Sequence, residues 1–220
     1  MTSLTEENYL KAIYNLNSSK GTKASTNAIA AKMETKASSV TDMIKRLNEK
    51  NLIVYQKYQP VYLTEEGKKV AISIIRKHRL WEYFLVENLK FGWDEVHDIA
   101  EQLEHIQSKE LTNRLDKFLD FPRYDPHGDP IPNMNGEFPN RKREKLSNAK
   151  KGDNVMVTGV KDDSTEFLNY LKQLKIQLGT TLSIHATNAF DQSISIQTEE
   201  GIPISISEKV SNNLFIKSLS

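Results

Sequence analysis

The chain has 220 residues, of which 38% are hydrophobic, a net charge of +1 and no cysteine. The absence of cysteine excludes disulfides, thiolate zinc sites and thiol catalysis, so any bound metal must be held by nitrogen and oxygen ligands. No apolar run approaches the roughly 20 residues that a membrane-spanning helix needs, and the N-terminus lacks the basic and apolar regions of a signal peptide. We therefore expect a cytoplasmic protein without a membrane partner.

The near-neutral total hides a charge asymmetry along the chain. Residues 1–77 carry 13 Lys and Arg against 7 Asp and Glu, whereas residues 78–140 carry 6 against 13. A basic segment suits a polyanion such as DNA, and an acidic segment suits a cation. The asymmetry predicts that one chain binds both.

The first 66 residues have the pattern of a winged helix-turn-helix domain. Apolar spacing predicts helices over 5–16, 25–33 and 38–50, and Thr5 is the predicted N-cap of the first. Two short apolar runs, 52–55 and 61–64, predict the strands of a hairpin wing. A polar-faced helix after a tight turn is typical of a helix that enters the major groove of DNA. The alternative interpretation is a generic small helical domain with a hairpin.

Seven polar residues of this domain are expected to contact a double-stranded DNA operator. Hydroxyl side chains at the start of the third helix would contact bases or phosphates, and basic side chains would contact phosphates. The hydroxyl residues are Ser38, Ser39 and Thr41, and the basic residues are Lys36, Lys45, Arg46 and Lys57.

The middle of the chain begins with a long predicted helix over 68–89. Its residues are apolar around much of the circumference, which favours a buried position or a dimer interface. His78 and Glu82 are four residues apart on one face of this helix. That is the spacing two helical metal ligands need, although such a pair is also common as a surface hydrogen bond.

A second predicted helix, over 93–121, carries two histidines and two carboxylates on one side. At a helical step of about 100° per residue, these four side chains fall within an arc of roughly 100°. Imidazole and carboxylate without thiolate suit ions such as Mn(II), Fe(II), Zn(II) or Ni(II). The pattern predicts a divalent metal site, and the alternative is a chance collection of His and Glu. The residues are His97, Glu101, Glu104 and His105.

The rest of the chain changes character twice. Residues 121–132 are rich in Pro and Gly and contain His127, for which we predict a structural role in a loop rather than a ligand role. Residues 133–151 are polar and basic and predict a flexible linker. From residue 152 the apolar period becomes two, which predicts a small SH3-like β-barrel with one short helix over 166–174. The predicted fold class is therefore α+β with several domains.

Seven motifs are spread over nearly the whole chain. They are E-N-Y-L-K-A-I-Y (7–14), A-S-S-V-T-D-M-I-K-R-L (37–47), L-T-E-E-G (63–67), R-K-H-R-L-W-E (76–82), V-H-D-I-A-E-Q-L-E-H (96–105), R-L-D-K-F-L-D-F-P (114–122) and D-P-H-G-D-P-I-P (125–132). Together they resemble the diphtheria toxin repressor and manganese transport regulator family of metal-dependent transcriptional repressors. The resemblance implies a homodimeric repressor and no enzymatic activity.

The resemblance also implies a domain organisation. A winged helix-turn-helix domain would occupy 1–66, and a helical metal-binding and dimerisation domain would occupy 67–132. A linker over 133–151 would lead to an SH3-like domain of the FeoA kind over 152–220.

Two metal positions per subunit follow from the same resemblance. The primary regulatory site would combine residue 8 of the N-terminal helix with ligands from the middle of the chain, and the second site would combine helical ligands with one carboxylate from the barrel. The primary set is Asn8, Glu101, Glu104 and His105. The second set is His78, Glu82 and His97, completed by Asp163 or, as second choice, Glu166.

Two primary-site residues bear on the identity of the metal. Iron-sensing members of the family have Cys where this chain has Glu101, and manganese-sensing members have Glu, so the resemblance implies Mn(II), with Fe(II) as the alternative. The family usually has Asp or Met where this chain has Asn8, whose amide oxygen ligates hard ions without adding negative charge. Because carboxylates repel one another, we expect the metal-free site to be loose.

Two other classes of function fit parts of the pattern. A metallohydrolase would use Glu101 or Glu104 as the base at a metal-bound water, but it needs an open coordination position and a substrate cleft. It also leaves the basic winged-helix segment unexplained. A non-metal interaction module is the third possibility. DNA binding that responds to divalent ions would distinguish the repressor from both.

Overall fold

The computed structural model describes residues 2–19, 21–57, 59–140, 143–199 and 201–219. Its chain divides into two compact units. The first contains Met1–His78, Glu101–Arg114 and Pro132–Glu137, and the second contains Arg79–Ala100, Leu115–Ile131 and Phe138–Ser220. Among the described residues, no helix combines the length and the apolar character needed to cross a lipid bilayer.

The first unit begins with a winged helix-turn-helix. Its elements are α1 (Leu4–Ser18), α2 (Thr26–Lys32), α3 (Ala37–Glu49), β1 (Ile53–Val54) and β2 (Tyr62–Leu63). β1 and β2 are antiparallel, with Ile53 opposite Leu63. The order of three helices and a hairpin confirms the prediction for this part of the chain.

The start of α1 differs from the prediction. Ser3, not Thr5, is the N-cap: its hydroxyl accepts a hydrogen bond from the Glu6 N–H, and the Glu6 carboxylate accepts one from the Ser3 N–H. This reciprocal pair is a capping box, which satisfies two backbone donors at once. The prediction of Thr5 as the N-cap is wrong.

One apolar core holds the winged helix-turn-helix together. Its largest fully buried side chains include Leu10 and Ile13 of α1, Ile29 of α2, and Ile44 and Leu47 of α3. Burial of the apolar stripe of α3 leaves the opposite, polar face of that helix exposed to solvent.

Three further helices follow, and each contributes residues to both units. They are α4 (Glu65–Glu87), α5 (His97–Leu103) and α6 (Lys109–Phe118). α4 confirms the long helix predicted over 68–89. The single helix predicted over 93–121 is wrong, because the chain turns after Leu103 and Ser108 caps a new helix by accepting a hydrogen bond from the Leu111 N–H.

The C-terminal part of the second unit contains β3 (Glu144–Lys145), a 3-10 turn (Leu146–Asn148), β4 (Asn154–Val160), α7 (Thr165–Gln173), β5 (Thr181–Thr187), β6 (Ile194–Thr198), β7 (Ile204–Ile206), α8 (Glu208–Asn212) and β8 (Leu214–Ser218). Its strands form a six-stranded antiparallel sheet with strand order β3-β8-β4-β5-β6-β7. Its buried core includes Val157, Leu168, Leu171, Leu182 and Ile196. The α+β fold class is confirmed, and α8 is a helix that the sequence did not predict.

Part of the predicted linker belongs to this sheet. β3 pairs with β8, and Leu146, directly after β3, is fully buried in the core of the domain. The prediction of a linker is therefore wrong for residues 144–148, because a single apolar residue in a polar segment is enough to anchor it. Residues 141 and 142 of the predicted linker lie outside the described residues.

The Pro- and Gly-rich segment forms a loop that packs on β4. The Asp125 carboxylate accepts hydrogen bonds from the N–H groups of His127 and Asp129. The His127 carbonyl in turn accepts one from the Val160 N–H at 2.9 Å. Gly128 has a φ of +81°, and a Cβ there would lie 2.2 Å from the Thr158 carbonyl oxygen. These contacts fix the backbone that carries Asp125 and His127.

Candidate metal centres

The first unit contains a cluster of charged side chains around Glu104, which we name the first cluster. Glu104 is fully buried, and it lies in the turn that follows α5. His78 Nδ1 is 2.6 Å from Glu104 Oε2, and the Lys11 ammonium lies 2.7 and 2.8 Å from the two carboxylate oxygens. The charged members of the first cluster are Glu7, Lys11, His78, Glu101, Glu104 and His105. We include Asn8, which follows Glu7 on α1.

Lys11 also contacts the second carboxylate of this cluster. Its ammonium lies 3.3 Å from Glu101 Oε1, so one lysine of α1 bridges Glu101 and Glu104. The lysine supplies a counter-charge that offsets the repulsion expected between these carboxylates in the metal-free protein. Lys11 is not among the residues predicted for either metal site.

Glu7 is a further member that the sequence analysis missed. The Glu7 carboxylate is 2.8 Å from His105 Nδ1 and accepts a hydrogen bond from the Gln107 side chain at 2.8 Å. It is 3% exposed. The signal in the sequence is that Glu7 directly precedes Asn8, but the pattern identifies Glu7 only as an acidic residue in the first turn of a helix.

Asn8 lies one helical turn before Lys11 on α1. Its side-chain oxygen is buried and has no hydrogen-bond partner among the residues that the structure describes. Buried polar atoms are almost always hydrogen-bonded, so an orphaned oxygen indicates an acceptor that fits a cation or a donor. In the described part of the chain, Glu101, Glu104 and His105 do not form a group whose ligand atoms all lie within 4.8 Å.

The electrostatics of the first cluster favour the charged form of Glu104. Burial alone would raise the pKa of Glu104, but the hydrogen bond with His78 and the charge of Lys11 lower it below its ordinary value. Burial lowers the pKa of Lys77, which the negative charges of Glu7 and Glu104 partly offset. An anionic carboxylate in a buried site is the form that ligates a metal.

The second unit contains a separate group, which we name the second cluster: Glu82, His97, Asp125 and His127. Glu82, Asp125 and His127 are all buried, and each offers a ligand atom within 4.8 Å of the others. His127 Nδ1 lies 3.7 Å from Glu82 Oε2, and the His127 Nε2–H donates to the Trp93 carbonyl at 2.8 Å. His97 Nδ1 lies 3.4 Å from Glu82 Oε1.

Burial and neighbouring charges shift the pKa values of Asp125 and His127, the two loop residues beside Glu82. Burial, with the charges of Asp129 and Glu82, raises the pKa of Asp125 to about 7. Burial alone would lower the pKa of His127, but the nearby carboxylates of Glu82 and Asp125, with the hydrogen bond to the Trp93 carbonyl, raise it to about 9. At neutral pH, His127 therefore carries the positive charge that balances these carboxylates.

The metal-free protein is expected to lose stability as pH rises from about 6.5 to about 9. The pKa of His127 is raised from 6.5 to about 9 on folding, so its contribution is fully present below 6.5 and is lost as pH rises through 9. The raised pKa of Asp125 acts in the same direction between 3.8 and about 7. Urea unfolding with a chelator present measures this slope. The slope above about pH 6.5 should flatten in His127→Gln, and a slope that persists in the variant would contradict the assignment.

The assignment of the predicted ligands to two metal sites stays a prediction. His78, predicted for the second site, is hydrogen-bonded to Glu104 of the first cluster. Asp163 and Glu166 are exposed, and neither belongs to a candidate ligand group of the described residues. Asp125 and His127 were interpreted as loop residues, since Pro and Gly neighbours gave no sign that Glu82 would lie beside them.

The residues predicted to contact DNA lie on α3 and the wing. Lys36, Ser38 and Ser39 are exposed at the start of α3, and Lys57 is exposed in the wing. Thr41 is half-buried and donates its hydroxyl to the Ala37 carbonyl.

Two basic residues on α3 have acidic neighbours. Lys45 lies 3.7 Å from Asp42, and Arg46 Nε lies 3.9 Å from the buried Glu6 of α1. Lys50, after the end of α3, contacts both Glu6 oxygens at 2.7 and 2.8 Å. The first turn of α1 therefore joins α3 through Glu6 and joins His105 through Glu7.

A winged helix-turn-helix followed by buried clusters of carboxylates and histidines defines a class: DNA-binding proteins with candidate metal positions. Three segments match described families. Residues 1–61 match the N-terminal DNA binding domain of iron dependent repressors, residues 64–133 match their metal binding and dimerisation domain, and residues 144–218 match the FeoA domain.

Individual relatives agree with these matches. The iron-dependent repressor IdeR of Mycobacterium tuberculosis is 35% identical over 130 residues, which is 59% of this chain and 56% of the relative. The chain thus spans about half the length of the curated relatives it matches. The structure of a manganese-dependent transcriptional repressor in complex with manganese has a TM-score of 0.85 and 34% identity, and the match covers 97% of this chain and 100% of that chain. The structure of the manganese regulator SloR has a TM-score of 0.75 and 33% identity, and the match covers 97% of this chain and 98% of that chain.

The chain belongs to the diphtheria toxin repressor and manganese transport regulator family of metal-dependent transcriptional repressors. The family assignment made from the motifs is confirmed, as are the N-terminal DNA-binding, helical and C-terminal FeoA domains.

Proposed function

We propose that this protein is a homodimeric, DNA-binding transcriptional repressor that senses Mn(II) and controls metal-uptake genes. The observation that carries the proposal is the fully buried Glu104 carboxylate, which contacts His78 and Lys11 of α1. A metal bound there would act on the helix that also touches the recognition helix α3.

The donor set of the first cluster fits a divalent ion. It offers imidazole nitrogen, carboxylate oxygen and the orphaned amide oxygen of Asn8, a combination that suits Mn(II) or Fe(II). Asn8, Glu101, Glu104 and His105 would hold the ion, whose double positive charge would draw these groups together. The carboxylate at Glu101 supports Mn(II), and Fe(II) is the alternative.

A second ion per subunit would bind the second cluster. Glu82, Asp125 and His127 are buried with ligand atoms within 4.8 Å, and His97 contacts Glu82. In this proposal Asp125 supplies the carboxylate that Asp163 or Glu166 was predicted to supply, because Asp163 and Glu166 are exposed.

α1 would transmit metal binding to DNA. Lys11 contacts Glu101 and Glu104, Asn8 lies one helical turn before Lys11, and Glu6 contacts Arg46 and Lys50 of the α3 region. Fixing α1 would fix α3. In a homodimer this would set two recognition helices about one DNA turn apart, roughly 34 Å.

Selection from a random pool of duplex DNA tests the proposal. The full chain should enrich a two-fold symmetric sequence when Mn(II) is present and enrich none when a chelator replaces it. Parallel selections with Fe(II) without oxygen and with Zn(II) compare the candidate ions. Enrichment that is equal with and without every divalent ion would contradict a metal-dependent repressor.

An aspartate at position 8 should strengthen metal binding. Asn8→Asp adds a negative charge at the amide oxygen, so we expect Mn(II) affinity to rise by about tenfold in calorimetric titration. Asn15→Asp is the matched control, since it makes the same change at an exposed position of α1. No gain in Asn8→Asp over this control would count against Asn8 as a ligand.

A further inference from the structure

We propose that Lys11 is an internal competitor of the metal: its ammonium neutralises Glu101 and Glu104 in the metal-free protein and must leave them before a divalent ion binds there. This inference rests on the proposed metal-sensing function of the first cluster. It makes Lys11 a residue that sets the metal concentration at which the protein responds.

The contacts of Lys11 involve the atoms that a metal would need. The ammonium lies 2.7 and 2.8 Å from the two Glu104 oxygens and 3.3 Å from Glu101 Oε1. These three oxygens are the carboxylate donors predicted for the primary site. An ammonium and a divalent ion cannot both approach the same oxygens closely, since the two cations repel each other.

Burial makes this pairing strong. The Lys11 side chain is 14% exposed and Glu104 is fully buried, so water screens their attraction poorly. Leaving a buried carboxylate without a nearby positive charge is costly, and in the metal-free protein Glu104 has Lys11 and His78 as its close partners. Metal binding is consequently an exchange of one cation for another, and the net affinity is lower than the ligand set alone would give.

The exchange also accounts for a compact metal-free cluster. Glu7, Glu101 and Glu104 are three acidic groups in one place, and Lys11 with the nearby Lys77 supplies two positive charges. Without Lys11 the acidic groups would repel one another when metal is scarce. The lysine thus keeps the site assembled and at the same time raises the metal concentration that fills it.

The chain provides a matched control for this idea. Lys50 makes the same kind of contact with Glu6, at 2.7 and 2.8 Å to the two oxygens of a carboxylate that is 1% exposed. Glu6 is not a candidate ligand. Lys50→Met therefore removes an ion pair to a buried carboxylate of the same unit and leaves the candidate ligands unchanged. The Lys50 side chain is 43% exposed, against 14% for Lys11.

Calorimetric Mn(II) titration and thermal unfolding of the full chain test the proposal, with Lys11→Met, Lys11→Gln and Lys50→Met compared with the parent. We expect Lys11→Met to bind Mn(II) at least about tenfold more tightly and its metal-free Tm to fall by roughly 5–10 °C. Lys11→Gln, whose amide still donates to Glu104, should show the same gain in affinity with a smaller loss in Tm. Lys50→Met should lose Tm and keep the parent affinity.

The outcomes separate this inference from the proposed function. Unchanged or weaker Mn(II) binding in both Lys11 variants overturns the competitor role, and an equal gain in Lys50→Met overturns it as well. If the parent binds Mn(II) and only the Lys11 gain is missing, the metal-sensing function stands. If neither the parent nor any variant binds Mn(II), the proposed function itself fails.

Discussion

Glu104→Gln should weaken Mn(II) binding at the first cluster by about 100-fold, which corresponds to about 2.7 kcal/mol. Glu104 is the fully buried anion of the cluster, and its oxygens contact both His78 and Lys11. The neutral amide removes the negative charge that attracts the ion and leaves Lys11 without its closest partner. Calorimetric titration of the full chain should lose one of two binding events, since the second cluster is unchanged.

Glu110→Gln is the control for this prediction. Glu110 belongs to the same unit, and its exposed carboxylate pairs with Arg114 four residues later on α6. Removing that charge should leave both binding events intact. Two unaltered binding events in Glu104→Gln would show that the first cluster does not use Glu104 as a ligand.

Gly128→Ala should destabilise the second unit by about 3 kcal/mol or more and weaken metal binding at the second cluster. A Cβ at this position would lie 2.2 Å from the Thr158 carbonyl oxygen and 2.5 Å from the Gly159 Cα, and the φ of +81° is strained for any other residue. The loop would have to move away from β4. Because the His127 carbonyl is hydrogen-bonded to Val160 in that contact, the His127 imidazole would move with it.

Gly152→Ala separates the effect of backbone strain from the effect of the steric clash. Gly152 has a φ of +92° and nothing within 4 Å of its would-be Cβ, so alanine there adds backbone strain without a clash. We expect it to cost about 1 kcal/mol in urea unfolding and to leave metal binding unchanged. Equal losses in the two variants would mean that close packing of Gly128 on β4 is unimportant.

The spacing of apolar residues within short segments is sufficient to predict much of the fold. The 3.6-residue spacing of Leu10, Ile13, Ile44 and Leu47 predicts helices whose apolar faces the structure buries. The types of the candidate ligands could also be predicted, because a chain without cysteine must hold a divalent metal with nitrogen and oxygen donors such as His, Asp and Glu. The turn at 104–108 was missed, since the apolar stripe continues across it and only Ser108 marks the new helix.

Contacts between residues far apart in the sequence could not be predicted from such local patterns. Lys11 contacts Glu101 and Glu104 across separations of 90 and 93 residues, and nothing in the motif around Lys11 distinguishes it from a solvated helix lysine. Asp125 and His127 reach Glu82 only because a loop packs on β4. The types of the candidate ligands are predicted from sequence, whereas which of them lie close together depends on the tertiary fold.

Fluorescence anisotropy with a duplex obtained from the Mn(II) selection tests the central proposal most directly. The full chain is titrated onto the labelled duplex with Mn(II) present and with a chelator in its place. We predict that Mn(II) lowers the Kd for DNA by about 100-fold, within the range that coupled binding sites commonly show. Equal affinity in the two conditions would contradict the proposal that metal binding controls DNA binding.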